Sequence, residues 1–403
     1  MLNKQMIQYP IIYSRPGAKT GIGWGAHTTV ADECKAAGIK KALIVTTGLK
    51  GTGIVDEIKG ILEYNGVATD LFDKVTSNPK DHEIMEGYKA FKEAQCDGVV
   101  SVGGGSSHDC GKGIRVVASN SGRDIREFFT GVTDAGQKKI VEVKPVTIPQ
   151  ISVNTTAGTG AESNGGAAIT DTKGRYKQGI MIPGEAATAA LIDPILIRCM
   201  PSNLAAWTGW DAFTHAFDSF LSKINTPPSA AIQLLTMTFV AENIKEFTYN
   251  RMNHVACEKM CWAETMGGGG MAFGAGGGIV HGFGNDIGAV TNVHHGNVMA
   301  VLTLPLQRFN QPACPEKFAE MARAMGVDTT GMTTMQASDM WFDEVERLLK
   351  DLNIKPGHLT EQFGFEEKDV DHIVQRATSG FNREGNPRDL EVDECTELLK
   401  SIL

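Results

Sequence analysis

The first half of the chain alternates short apolar runs with amphipathic segments, and this alternation restricts the fold more than any other feature of the sequence. KALIVTTG (residues 41–48) is a continuous apolar run of strand length that ends at a glycine, as in a buried parallel strand. Residues 53–67 have helical character, residues 68–73 read as a short strand, and a helix is predicted from Asn78 to about Ala94. Strands and helices at this spacing predict an α/β domain with a mostly parallel, Rossmann-like sheet.

The character of the sequence changes after Asp193 and Pro194. From Met200 onward, long segments have helical periodicity and little of the sequence is strand-like. The 403 residues are enough for two domains with separate cores. We therefore predict an α/β nucleotide-binding domain over residues 1–195 and an all-helical domain over residues 196–403.

Two glycine-rich segments of the first half are candidates for a phosphate site. Residues 99–102 are predicted as a strand that leads through Gly103, Gly104, Gly105 and Ser106 into a helix. Glycines allow a ligand close to the backbone, and a helix N-terminus attracts anions. The pattern is not GxGxxG, so the residues alone leave a pyrophosphate cradle and an ordinary tight turn both open.

The second glycine-rich segment is TTAGTGAE, residues 155–162. Its hydroxyl groups could contact phosphate or ribose, and a generic threonine-rich turn is the alternative.

Two pairs of potential metal ligands stand in the second half. His281 and His295 are fourteen residues apart in a glycine-rich, apolar segment, where an imidazole needs a partner. Asp211 and His215 are four apart in a predicted helix, so that both side chains leave one face. One carboxylate with imidazoles suits Zn²⁺ or Fe²⁺, although a buried histidine bonded to a backbone carbonyl is the plainer interpretation of each site.

The wording around these residues resembles one family. TGWDAFTHAFDSF is similar to the TGxDALTHAxEAY signature of the iron-containing, or group III, alcohol dehydrogenases. VHGFGNDIGAVTNVHHGNVMAVLTLP resembles the second signature of that family, whose two metal-binding histidines are also fourteen positions apart. GGGSSHDCGK and TTAGTGAE are similar to its GGGSxxDxAK and TTAGTGSE segments.

The resemblance implies a fold, a ligand set and a cofactor. It implies one divalent metal ion, Fe²⁺ or Zn²⁺, in the helical domain, held by Asp211, His215, His281 and His295. It also implies NAD(H) at the α/β domain, in contact with residues of the two glycine-rich segments and a lysine further along: Gly103, Gly104, Gly105, Ser106, Asp109, Thr155, Thr156, Thr159 and Lys177.

Three departures from the family pattern affect the expected chemistry. Where many members carry an aspartate after the first strand, this chain has Thr47 and Gly48. The carboxylate that would bind the ribose 2′-hydroxyl and repel a 2′-phosphate is therefore missing, which leaves NADP(H) as the alternative to the predicted NAD(H). A stretch with Gly274 and Ala275 replaces paired asparagines, and Asn285 stands where many members have a histidine.

Asn285 is the predicted catalytic-site residue of this altered segment. Asparagine cannot titrate, so we expect Asn285 to line the pocket and to orient substrate or water by hydrogen bonds.

The predicted function is a metal-dependent, NAD(P)-linked oxidoreductase that interconverts a small primary alcohol and its aldehyde by hydride transfer. Reduction of a functionalised aldehyde such as sulfoacetaldehyde is one alternative, and a glycerol or polyol dehydrogenase is another. The formal net charge of -9 argues against nucleic acid or an anionic membrane as a partner. The scattered cysteines and the absence of a signal-like N-terminus predict a cytoplasmic protein, and the resemblance implies a homodimer or higher homo-oligomer.

Overall fold

The computed structural model describes residues 17–129, 142–270 and 277–403, and its N-terminal part is built on one six-stranded parallel sheet. The strand order is β1-β8-β5-β4-β2-β3, and every neighbouring pair is parallel. The strands of this sheet are β1 (Lys19–Ile22), β2 (Lys41–Thr46), β3 (Ala68–Phe72), β4 (Gly98–Gly103), β5 (Gln150–Asn154) and β8 (Ala189–Ile192).

Helices cover both faces of this sheet, which explains why its central strands are continuous apolar runs. The helices are α1 (Val30–Ala36), α2 (Ile54–Tyr64), α3 (Asp81–Glu93) and α4 (Gly105–Ser119). Leu43 of β2 belongs to the apolar core that contains α3 and α4, whereas Ile44 belongs to the core that contains α1 and α2. The predicted parallel α/β domain is confirmed.

Two details differ from the sequence prediction. The third helix begins at Asp81 and not at Asn78, because the backbone of Asn78 has a positive φ of 54° that ends any helical path there. A two-stranded antiparallel hairpin, which was not predicted from the sequence, lies apart from the main sheet and consists of β6 (Ala167–Asp171) and β7 (Tyr176–Ile180).

From residue 194 onward, the described part of the chain contains helices and no strand, as predicted. The helices are α5 (Pro194–Ile197), α6 (Ser202–Leu221), α7 (Pro227–Tyr249), α8 (His254–Gly270), α9 (Ile279–Thr291), α10 (His295–Asn310), α11 (Pro315–Ala324), α12 (Thr334–Asp351), α13 (Leu359–Phe363), α14 (Val370–Ala377), α15 (Gly380–Gly385) and α16 (Val392–Lys400). The boundary at residue 195 stays a prediction, and the altered stretch with Gly274 and Ala275 lies outside the described residues.

Helix α6 runs through the centre of the helical part. Its apolar residues pack against α7, α8, α9 and α10 in one large core. Trp210, Phe213 and Phe217 are fully buried there and make edge-to-face ring contacts along the helix. This packing fixes the rotation of α6, and therefore the direction in which its polar residues point. No helix within residues 17–129, 142–270 and 277–403 is long and apolar enough to cross a membrane.

Candidate metal centre and cofactor site

Three helices bring the predicted metal ligands into one cluster. Helix α6 presents Asp211 and His215 from one face, α9 carries His281 in its first turn, and α10 begins at His295. Oδ1 of Asp211 lies 3.4 Å from Nε2 of His295, 3.8 Å from Nε2 of His281 and 3.9 Å from Nδ1 of His215.

The four residues do not take part equally. Ligand atoms of Asp211, His281 and His295 all lie within 4.8 Å of one another, so these three can share one ion. His215 stands beside them, with its ring centroid 4.6 Å from that of His281. His215 therefore lies next to the group of Asp211, His281 and His295 but is not part of it.

The polar atoms of the cluster fit a bound cation. Asp211 Oδ1, His215 Nδ1 and His281 Nε2 are buried and have no hydrogen-bond partner. Buried polar atoms without a partner each cost free energy, and a divalent cation would satisfy all of them at once. A carboxylate with imidazole nitrogens is also a ligand set that Fe²⁺ and Zn²⁺ accept.

The electrostatics of the cluster favour an ionised aspartate. Burial alone would raise the pKa of Asp211, but the imidazoles of His215, His295 and His281 lower it well below its ordinary value. Burial also lowers the pKa of His295 well below its usual range, which favours the neutral imidazole, the form with a lone pair for a metal ion.

A second carboxylate, that of Asp218, contacts His281 from outside the cluster and was not predicted from the sequence. Its Oδ2 lies 2.9 Å from Nδ1 of His281, on the side of the ring away from Asp211. Asp218 is seven residues after Asp211 on α6, and this spacing on one helical face is the signal that could have found it.

The two glycine-rich segments of the α/β part lie directly against each other. A Cβ atom on Gly104 would be 2.6 Å from Cγ2 of Thr156, and one on Gly105 would be 2.8 Å from Cγ2 of Thr159. The backbone N–H of Thr155 donates to the carbonyl of Gly103 at 3.0 Å. The loop after β5 therefore packs on the start of α4, and the N–H groups at a helix start can bind an anion.

Ser106 and Asp109, two of the predicted cofactor contacts, make hydrogen bonds to other parts of the protein. Ser106 Oγ accepts a hydrogen bond from the backbone N–H of Asn78 at 3.2 Å. The buried carboxylate of Asp109 accepts from the backbone N–H of Ala168 at 3.0 Å and lies 3.7 Å from Nζ of Lys112. Asp109 thus holds the β6–β7 hairpin against α4, and its direct contact with a cofactor stays a prediction.

Lys177 is half-buried on β7, in the hairpin that joins α4 to the metal-bearing helix α9. Burial lowers the pKa of Lys177, while the carboxylates of Asp211, Asp109 and Asp286 act in the opposite direction. The charge of Lys177 thus interacts with carboxylates on α6, α4 and α9. The backbone N–H of Lys177 donates to Asp286 Oδ1 at 2.9 Å, which joins the hairpin to α9.

Asn285 is half-buried on α9, one helical turn after His281. Its neighbour Asp286 is directed elsewhere, because its Oδ2 accepts a hydrogen bond from Nε of Arg376 at 2.8 Å. The carboxylate of Asp286 is thus bound by Arg376 and by the backbone of the hairpin. The role of Asn285 toward a substrate stays a prediction.

Comparison with known proteins gives the family. The sequence model of the iron-containing alcohol dehydrogenases matches residues 17–194, and that of the family's C-terminal part matches residues 205–403. The methanol:N,N-dimethyl-4-nitrosoaniline oxidoreductase of Mycobacterium sp. (strain DSM 3803 / JC1) is 34% identical over 96% of this chain and 95% of its own. The NAD-dependent methanol dehydrogenase of Bacillus methanolicus is 33% identical over 95% of this chain and 97% of its own.

A solved structure agrees with the sequence relatives. The crystal structure of 1,3-propanediol oxidoreductase superimposes with a TM-score of 0.89 at 32% identity, and the match covers 98% of this chain and 100% of that one. The predicted resemblance is confirmed: the chain is an oxidoreductase that belongs to the iron-containing alcohol dehydrogenase family.

Proposed function

We propose that this protein is an NAD(H)-linked dehydrogenase that interconverts a small primary alcohol and its aldehyde at a centre containing one divalent metal ion. The observation that carries the proposal is the β6–β7 hairpin, which bonds to α4 through Ala168 and Asp109 and to α9, the helix of His281, through Lys177 and Asp286. A substrate held at the cluster would then lie beside the nicotinamide end of a dinucleotide bound along that helix start.

In the proposed site, Asp211, His215, His281 and His295 hold the metal ion, which is Fe²⁺ or Zn²⁺. When bound, such an ion supplies Lewis acidity toward the oxygen of the substrate. The first amides of α4, with Gly103, Gly104, Gly105 and Ser106, contact the pyrophosphate. The threonines of the neighbouring loop (Thr155, Thr156, Thr159) lie along the nicotinamide ribose.

The reaction balances as a two-electron oxidation of the alcohol. When bound, NAD⁺ would accept the hydride that leaves the carbinol carbon, and the hydroxyl proton would go to water. Because Asn285 cannot accept that proton, its proposed part is to hold the substrate or a water molecule in line by hydrogen bonds.

The relatives support the small substrate and the cofactor. Two of them are named for methanol and a third for 1,3-propanediol, and one of the methanol enzymes is named as NAD-dependent. We therefore propose small primary alcohols and NAD(H). Glycerol or another polyol, a functionalised aldehyde such as sulfoacetaldehyde, and NADP(H) are the alternatives to exclude.

A substrate panel tests this proposal. The purified enzyme is assayed with Fe²⁺ or Zn²⁺ for oxidation of NADH and NADPH by short aldehydes, 3-hydroxypropanal, glyceraldehyde and sulfoacetaldehyde. We expect the highest kcat/KM for a short unsubstituted aldehyde or 3-hydroxypropanal with NADH. A tenfold preference for NADPH would contradict the cofactor assignment, and turnover of sulfoacetaldehyde alone would contradict the substrate class.

Elemental analysis tests the metal centre separately from turnover. We expect about one divalent ion per chain in the wild type and its loss in His281→Ala. Full metal content in that variant would contradict the ligand assignment. We also propose that the active enzyme is a cytoplasmic homodimer or higher homo-oligomer, which size-exclusion chromatography with light scattering checks.

A further inference from the structure

The second carboxylate of the site, Asp218, makes two hydrogen bonds to the same metal-ligand candidate. Its Oδ2 accepts from Nδ1 of the His281 ring at 2.9 Å and from the backbone N–H of His281 at 3.1 Å. Because Nδ1 donates to Asp218, Nε2 is the nitrogen left to face Asp211, 3.8 Å away. One carboxylate therefore fixes both the place of His281 on α9 and the orientation of its imidazole.

Asp218 is itself held by a network of buried amides (Gln307, Asn310 and Asn386). Its Oδ1 accepts from Nε2 of Gln307 at 2.9 Å, and Oε1 of Gln307 accepts from Nδ2 of Asn310 at 3.1 Å. Asn310 and Asn386 exchange two hydrogen bonds of 3.0 and 2.7 Å. The network closes on α9, since Oδ1 of Asn386 accepts from the backbone N–H of Ile279 at 3.2 Å.

The start of α9 is shaped to receive this network. Its N-terminal cap, Gly278, makes no side-chain capping bond, and the amides of Ile279 and His281 are satisfied instead by Asn386 and Asp218. A Cβ atom on Gly278 would be 2.5 Å from Cγ of Asp218, so only a glycine leaves room for the carboxylate. The first turn of α9, which carries His281, is thus held by side chains from other elements.

The hydrogen bonds around Asp218 constrain His281 strongly because the residues that make them are buried. Asp218, Gln307, Asn310 and Asn386 are each at most 2% exposed. Water cannot replace a lost partner there, so the hydrogen bonds are directional constraints on His281. A carboxylate behind a ligating histidine also makes the imidazole a stronger donor to a metal.

We infer that Asp218 is a positioning residue for the metal centre, and that the amides of Gln307, Asn310 and Asn386 keep its carboxylate directed at His281. The inference rests on the proposed metal centre. It differs from a purely structural role for Asp218, in which the carboxylate would only cap α9.

The test compares Asp218→Asn with a matched control, Asp193→Asn. Asp193 is also fully buried, and its Oδ2 also contacts both the backbone N–H and Nδ1 of a histidine, His27, in the α/β part. Both substitutions remove one buried charge from an aspartate–histidine pair. Only the first pair includes a proposed metal ligand, so only the first should change metal binding.

The readouts are Co²⁺ affinity, from competition with a chromophoric chelator, and the visible absorption spectrum of the Co²⁺-loaded protein. We expect Asp218→Asn to weaken Co²⁺ binding about 10- to 100-fold and to alter the spectrum. We expect Asp193→Asn to lower thermal stability and to leave both readouts at the wild-type values. Gln307→Met keeps the carboxylate and removes its donor, and it should weaken Co²⁺ binding in the same direction by a smaller factor.

Each outcome has a defined meaning. Wild-type Co²⁺ affinity and spectrum in Asp218→Asn, with only a lower melting temperature, would overturn the positioning role and leave the metal centre intact. If Asp218→Asn does not fold, unchanged Co²⁺ binding in Gln307→Met would overturn it equally. A wild-type protein that binds no divalent ion would instead overturn the proposed metal centre, and this inference with it.

Discussion

Gly296→Ala should separate two of the metal-bearing helices. Gly296 is buried in α10, directly after His295, and faces the backbone of α6 one turn before Asp211. A Cβ atom there would be 2.7 Å from the carbonyl carbon of Trp207 and closer still to its oxygen. Carbon atoms in contact are about 3.5 Å apart, so the start of α10 would have to move away from α6 by roughly 0.8 Å.

A displacement of this size is large for a metal site. Nε2 of His295 lies 3.4 Å from Oδ1 of Asp211, and both atoms belong to the three-residue ligand group. Metal–ligand distances tolerate deviations of only about 0.2 Å, so the shift is roughly four times the tolerance. We expect Gly296→Ala to lose most of its bound metal, and overpacking to lower the free energy of unfolding by about 1–3 kcal/mol.

Elemental analysis after dialysis and thermal unfolding measure the two effects. The matched control is Gly60→Ala, the same change at an exposed helical glycine of α2, where a Cβ atom would meet nothing within 4 Å. The control should keep its metal and gain roughly 0.5–1 kcal/mol in stability. A Gly296→Ala protein with full metal content and wild-type stability would refute the argument from close packing.

Three further predictions concern the substrate, the cofactor and pH. Asn285→Ala should change KM and substrate preference more than the pH–rate profile; loss of an inflection near neutrality with preference unchanged would show that Asn285 is misplaced in our proposal. Gly105→Ala should raise the KM for NADH about tenfold, because its methyl group would lie 2.8 Å from the facing threonine, and an unchanged KM would argue against a cofactor contact at this turn. Hydrogen bonds to Asp193 and, to a smaller extent, to Glu57 raise the pKa of His27 above 6.5. Protonated His27 therefore stabilises the folded protein fully below pH 6.5, and this stabilisation is lost as the pH rises through the higher pKa of the folded state. The difference in melting temperature between wild type and His27→Gln should accordingly be larger at about pH 6 than at about pH 9, and a difference that grows with pH would contradict this sign.

The candidate site was predictable from the sequence where local geometry determines it. Asp211 and His215 share a helical face by spacing alone, and the glycine turn after β4 follows from a strand that leads into a helix. The partners of His281 were not predictable in this way. Asp218 is 63 residues away from His281 and Asn386 is 107 residues away from Ile279, so only the tertiary packing of the helices brings them together.

The β6–β7 hairpin was missed for a related reason. Its strands carry mixed polar, small and charged residues without a regular alternation of apolar and polar positions. What holds the hairpin in place is a set of contacts to both halves of the molecule, and these contacts leave no periodic trace in its own sequence.

Because of those contacts, the hairpin can report relative motion of α4 and α9. The amide of Ala168 donates to Asp109 on α4, and the amide of Lys177 donates to Asp286 on α9. If α4 and α9 move apart to exchange cofactor, at least one of these two hydrogen bonds must break while the β6–β7 pairing can persist. Amide hydrogen exchange at Ala168 and Lys177 therefore shows whether the hairpin moves together with the nucleotide-binding half or together with the helices.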